Sequence, residues 1–192
     1  HQTHTTNIRR MTRADKGKGI LCTRDYADVD GMVTDEPGLV LNTFYADCVP
    51  LYFVDPIHHA IGLAHSGWRG TVGRMGERMV ETMEAQFGSR PEELYAAIGP
   101  SICRDCYEVS EDVAVQFIRM LGDQVATPGK EPGKHQLDLW LANELILRQA
   151  GLLPSHIAVT DICTCHNSQY LFSHRASGGR RGSLAAFLML KD

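Results

Sequence analysis

Cys48 and His65 bracket the stretch "ADCVPLYFVDPIHHAIGLAHSGWRG" (46–70), standing 17 residues apart. A thiol and an imidazole brought together support two chemistries. The imidazole can take the thiol proton and make a sulfur nucleophile. Alternatively, both atoms can bind a metal ion together with at least one more ligand. Zinc accepts cysteine sulfur and histidine nitrogen, and a catalytic zinc keeps a fourth position for water. A third reading involves no chemistry: Cys48 is a small core residue and His65 a hydrogen-bonded strand end. From these residues alone the three readings stay open. Candidates for a third ligand are His1, His4, Cys22, Asp47, Cys106, His135 and His174.

The elements that must position the pair are two apolar runs. "VPLYFV" (49–54) and "HAIGLAH" (59–65) read as strands joined by "DPIH", a turn with Pro in second place. A four-residue loop at 55–58 pairs Val54 with His59, Leu51 with Gly62 and Cys48 with His65. Residues directly opposite have Cβ atoms about 4.5–5.5 Å apart, so this register closes the site. From Thr71 to Phe87, apolar residues recur at helical spacing and Gly88 follows as a stop. Ser110 with Glu111 and Asp112 starts a second helix that runs to Leu121. A third covers 137–151. Further strands are expected at 38–45, 94–100, 156–163 and 183–190, and loops at 13–19 and 122–136. Strands and helices mix without regular alternation, which predicts an α+β fold with a mixed sheet in a single domain over 1–192.

The bulk composition excludes some classes. The net charge is −4 and the basic residues are scattered, which argues against nucleic acid and against a basic membrane surface. No apolar run approaches the ~20 residues that span a bilayer. Six cysteines at 22, 48, 103, 106, 163 and 165, in a chain with no secretory signal, read as those of a reduced, cytoplasmic protein. "CRDC" (103–106) with "CTC" (163–165) suggests a structural zinc site, but C-x-C is a poor partner spacing for C-x₂-C.

Several stretches together resemble a known family. They are "QTH" (2–4), "ADC" (46–48), "AHSGWRG" (64–70), "IGPSICRDCYEV" (98–109), "LDLWLAN" (137–143), "CT" (163–164) and "FSHR" (172–175) with the Gly/Arg-rich loop and strand that follow. The chain is similar throughout to the YfiH/YlmD-type purine nucleoside phosphorylases, once described as laccase-like polyphenol oxidases. The resemblance implies an α+β fold of the CNF/YfiH-like kind grouped with cysteine hydrolases. It implies one zinc ion, held by His4, Cys48 and His65. It also implies phosphorolysis of adenosine, inosine, guanosine and methylthioadenosine, with adenosine deamination alongside. Relative to the family, the chain is expected to lack an N-terminal stretch before "QTH".

A zinc ion with an open position lowers the pKa of bound water towards neutrality, and such a hydroxide would attack C6 of adenine. That reaction needs a proton shuttle, for which Asp47 and Asp30 are candidates; Asp47 is equally a cap for the strand start. Phosphorolysis needs an anion site. Arg69 beside His65, Arg175, and Arg180 in "SGGRRGS" are the candidates, with Arg181 the one most expected to be a surface charge. His174 is a candidate donor to base or ribose. Trp68 is a stacking candidate or a packing anchor. The expected catalytic set is therefore Cys48, His65, Asp47 and Arg69. The substrates are purine nucleosides and phosphate, and the chain is taken as a monomer or weak homo-oligomer. Two other functions compete: a Cys-His hydrolase with Cys48 as nucleophile, and a non-catalytic zinc- or nucleoside-binding module. A copper oxidase is disfavoured, because the sequence has no His-x-His pair.

Overall fold

The structure is a computed structural model that describes residues 2–191; the candidate ligand His1 lies outside the described residues. Eleven strands follow in chain order: β1 (Ile8–Arg10), β2 (Gly31–Thr34), β3 (Val40–Tyr45), β4 (Val49–Asp55), β5 (Ala60–Ser66), β6 (Tyr95–Ile98), β7 (Glu108–Ser110), β8 (Ala126–Pro128), β9 (Lys134–Leu137), β10 (Ile157–Val159) and β11 (Leu184–Met189). The helices are α1 (Trp68–Val72), α2 (Met75–Phe87), α3 (Glu111–Leu121) and α4 (Leu139–Gln149). The central sheet runs β1-β2-β5-β4-β6-β10, with parallel pairs at both edges and antiparallel pairs between them. The fold is α+β with a mixed sheet, as the irregular order of apolar runs predicts.

Strand β5 is buried along its whole length because both its faces are covered. Ala60 and Ala64 look towards the helices, where Met79 and Met83 of α2 are fully buried. Each such methionine stabilises the fold by about 1.5–3 kcal/mol. Ile61 and Leu63 look the other way, into a smaller core with Leu41, Tyr45 and Ala186 of the β3–β11 ribbon. The period of two therefore turns His65 towards the ribbon and away from the helices.

The hairpin register differs from the expected one by two residues. Pro50, and not Cys48, stands opposite His65; Asp55 pairs with Ala60. The reason lies in the turn. The Asp55 carboxylate accepts from the backbone N–H of Ile57 and His58, both at 2.9 Å, which keeps Asp55 in the strand and moves the loop to 56–59. A shift of two preserves the facing of every side chain. Cys48 thus remains on the His65 face, diagonally across the ladder.

The expected helix over 71–87 is two helices. Arg74 adopts φ +58° between them, and a Cβ on Gly73 would come within 2.6 Å of Thr6 Cγ2, so the chain turns here against the N-terminal segment. The expected loop at 122–136 contains β8 and β9, which form a small sheet with β7. The segment 160–183 between β10 and β11 has neither helix nor strand. Among the described residues, no helix is long and apolar enough to cross a membrane.

Candidate functional site

Three segments converge beside the end of β5. The ligating atoms of His4, Cys48 and His65 all lie within 4.8 Å of one another. Cys48 Sγ is 3.9 Å from His4 Nε2, and the two imidazole rings meet edge to face with centroids 4.9 Å apart. His4 and Asp47 both have positive φ, 63° and 78°. Such backbone costs of order 1–3 kcal/mol per residue and persists where the surroundings enforce it.

Those surroundings are a set of hydrogen bonds made by Gln2 and Asp30. Gln2 of "QTH" lays its amide on β3 as a strand would, donating to Phe44 O at 2.8 Å and accepting from Phe44 N at 2.7 Å. Buried Asp30 collects the turn that follows. Its carboxylate accepts from the backbone N–H of Thr3, His4 and Thr5, from the Thr5 hydroxyl, and from His65 Nδ1 at 2.9 Å. Burial pushes the Asp30 carboxyl up, but the bonds from His65, Thr5 and Thr3 outweigh it and hold the group at about 2. Asp30 is therefore an ionised brace whose oxygens hold the turn and His65. With Nδ1 committed to Asp30, Nε2 is the His65 nitrogen left for a ligand.

The same arrangement sets the other two protons. Burial opposes charge on both Cys48 and His65. Hydrogen bonds from His4 and His65 nevertheless draw the Cys48 thiol down to about 7, while Asp30 and Cys48 lift His65 to about 9. Gly67 keeps the site compact: a Cβ there would sit 2.9 Å from Cys48 Sγ and 3.0 Å from His4 Cδ2. The turn after His65 is nailed to α4 through buried Asn143, which accepts from Ser66 Oγ and donates to Thr71 Oγ1, both at 3.2 Å. That is the role of the last residue of "LDLWLAN".

A cavity of about 710 Å³ opens on the cluster and is lined by His4, Cys48 and His65. Phe44 and Phe187 of the β3–β11 ribbon line it with exposed rings, and Arg181 reaches it from the Gly-rich loop. Arg180 lines a neighbouring pocket with Ser168 and Phe172, and Arg181 borders that pocket too. Arg180 was the substrate candidate read from "SGGRRGS"; of the two arginines, Arg181 is the one on the wall of this cavity.

The remaining candidates lie elsewhere. Asp47 is buried, accepting from Thr164 Oγ1 at 2.6 Å and from the backbone N–H of Arg175 at 2.7 Å. It ties the Cys48 turn to the segment 160–183. Arg175 donates to the carbonyls of Cys106 and Glu108 and lies over the Tyr107 ring. Arg69 is exposed and stacks on Trp68, which packs half-buried against the larger core. His174 is exposed beside Gly179. Cys22 is exposed, and His135 pairs with Glu111. Of the described third-ligand candidates, His4 is the one beside Cys48 and His65.

A second cluster joins Cys103, Cys106, Cys163 and His166, whose ligating atoms again lie within 4.8 Å of one another. The fourth member is His166 and not Cys165. The signal in sequence is C-x₂-C with C-x₂-H, which a reading confined to cysteines passes over. Burial and the facing Cys163 push the Cys103 thiol up, and burial with Cys165 pushes Cys106 up.

The family described as multi-copper polyphenol oxidoreductase laccase matches residues 1–191. The purine nucleoside phosphorylase YlmD of Bacillus subtilis (strain 168) is 38% identical over 197 residues, spanning 100% of this chain and 69% of that protein. The crystal structure of YlmD from Geobacillus stearothermophilus superposes with a TM-score of 0.91 at 37% identity, covering 100% of this chain and 72% of that one. The adenosine deaminase RL5, from an unknown prokaryotic organism, is 37% identical over 158 residues, 80% of this chain and 59% of that protein.

Proposed function

The chain belongs to the multi-copper polyphenol oxidoreductase laccase family, with relatives named purine nucleoside phosphorylase and adenosine deaminase, and from that premise we propose that it is a zinc-dependent purine nucleoside phosphorylase with adenosine deaminase activity. One observation carries the reading: His4, Cys48 and His65 offer two nitrogens and one sulfur to a single point on the wall of a cavity of about 710 Å³. That donor set with an open side is the set of a catalytic zinc. Zinc bound there would supply a Lewis acid at its fourth position. Copper chemistry of the multicopper type is disfavoured, because the sequence has no His-x-His pair from which a multicopper centre is built.

The chain's own residues do the rest. Asp30 orients His65 and keeps its proton on Nδ1. Phe44 and Phe187 give a purine two aromatic faces at the cavity wall. Arg181 supplies a guanidinium for phosphate, which must approach C1′ as the glycosidic bond breaks and positive charge builds on the ribose. Arg69, Arg175 and His174 stand outside the cavity wall, and we assign them to the surrounding shell. Asp47 braces the Cys48 turn. The substrates are purine nucleosides and phosphate, and the six free cysteines fit a cytoplasmic setting.

The test is product analysis with adenosine, with and without phosphate, on the parent and on Cys48→Ala. Adenine with ribose 1-phosphate, formed only with phosphate and lost with the metal in the variant, supports phosphorolysis. Inosine formed without phosphate reports the deaminase. The low Cys48 pKa of about 7 favours one rival, a cysteine nucleophile. That rival requires activity that survives chelation and dies on alkylation; such a result overturns the zinc reading.

A further inference from the structure

The second cluster has a use that the nucleoside site does not absorb. Ligands held ~2.3 Å from a tetrahedral zinc ion lie about 3.8 Å from one another. Cys103 Sγ and His166 Nδ1 are already 3.7 Å apart, and all four ligating atoms fall within 4.8 Å. The cluster is built from two short chelating turns, Cys103-x-x-Cys106 and Cys163-x-x-His166. Backbone amides attend the sulfur: Cys163 Sγ accepts from the N–H of Cys103 and of His166, both at 3.4 Å. N–H bonds of this kind stabilise a thiolate and fix its direction. Cys163 is buried and the other two cysteines are half-buried, while His166 is exposed. The cluster therefore presents four protein ligands, where the nucleoside site presents three.

We propose that Cys103, Cys106, Cys163 and His166 bind a second zinc ion, a structural one, that staples the irregular segment 160–183 to the loop after β6. Each thiol gives its proton to solvent as it binds, and the ion changes no oxidation state. The staple has something to hold. The two loops also meet through the Ser101 N–H to Ile162 O and Thr164 N–H to Ser101 O bonds and through the Arg175 guanidinium on the Cys106 carbonyl, none of which is a covalent or metal link. The held segment delivers Thr164 and Arg175 to Asp47, next to Cys48, and carries Arg181 to the cavity. The structural ion thus positions one wall of the site without touching substrate.

The test is metal analysis of the reduced protein, with zinc as the added metal. Two zinc ions per chain are expected. Cys163→Ser and His166→Ala should each lose one and keep the other, Cys48→Ala should lose the other, and Cys165→Ser should lose none. Because Cys163→Ser risks misfolding, cobalt(II) provides a second reading on folded protein. Cobalt-loaded Cys48→Ala should show thiolate-to-metal absorption from three sulfurs, roughly three times that of His166→Ala filled only at its one-sulfur site. Limited proteolysis within 160–183 should accelerate severalfold in His166→Ala. One zinc per chain that vanishes in Cys48→Ala overturns the proposal. So does a Cys48→Ala protein without thiolate absorption, or a Cys103–Cys163 disulfide in protein kept reduced.

Discussion

The open cluster of His4, Cys48 and His65 and the closed cluster of Cys103, Cys106, Cys163 and His166 both gather their ligating atoms within 4.8 Å of one another. They differ in what surrounds them. The open cluster draws its three ligands from three separate segments, is braced by a buried carboxylate, and faces a cavity. The closed one draws four ligands from two short turns and is braced by backbone amides. Ligands far apart in sequence let the fold choose their angles and leave a position free. Two chelating turns offer four ligands, enough to fill the coordination sphere of a tetrahedral ion. On the proposed assignment, ligand number and the source of the bracing, more than ligand type, would separate the reactive metal centre from the structural one.

The sharpest break of this comparison is Cys48→Ala against Cys163→Ser. Cys48→Ala is expected to lower nucleoside turnover by more than about a hundredfold with little change in melting temperature. Cys163→Ser should do the reverse, costing roughly 5–10 °C in Tm with a smaller loss of turnover. Calorimetry and initial rates on the two proteins separate these outcomes.

Asp30→Asn addresses the bracing. Loss of the carboxylate behind His65 should weaken zinc binding at the open site by about 10–100-fold and leave the closed site unchanged. Competition with a chelating dye reads both affinities in one titration.

The pH dependence follows from the raised His65. In the metal-free protein its pKa of about 9 lies above the ordinary 6.5, so its contribution to stability is complete below pH 6.5 and is lost as pH rises through 9. Zinc must displace that proton. Zinc affinity at the open site is therefore expected to climb by up to about tenfold per pH unit between 7 and 9, and then to level. A flat profile there would show that Asp30 does not hold the imidazolium.

The smallest effect is expected from Gly67→Ala. The added methyl crowds Cys48 Sγ and His4, so zinc affinity should fall about tenfold at the open site alone. Equal loss at both clusters would mean that the substitution acts on the fold at large.

Much of the fold is legible in local sequence pattern. The apolar runs of β4 and β5, the α3 start at Ser110 and the irregular order of elements all follow from local pattern. The motifs "QTH", "ADC" and "HSGWRG" marked His4, Cys48 and His65 through family resemblance. The hairpin argument placed Cys48 opposite His65 with a register that is two residues out, and it reached the right face because the strand repeat is two. The α1–α2 break and the β8–β9 strands were not legible. The first depends on Gly73 meeting Thr6, and the second on short polar strands whose pairing is tertiary.

By itself the sequence determined the chemistry that each position can offer: which side chains are thiols, imidazoles or carboxylates, and which way a strand repeat turns them. Side-chain type and backbone period are local properties. The tertiary structure alone decided how those groups are used. It made Asp30 a brace and Asp47 a tie, brought Arg181 rather than Arg180 to the cavity, and joined His166 rather than Cys165 to the closed cluster. Each outcome depends on contacts between segments tens of residues apart, whose meeting is set by the packing of the whole chain.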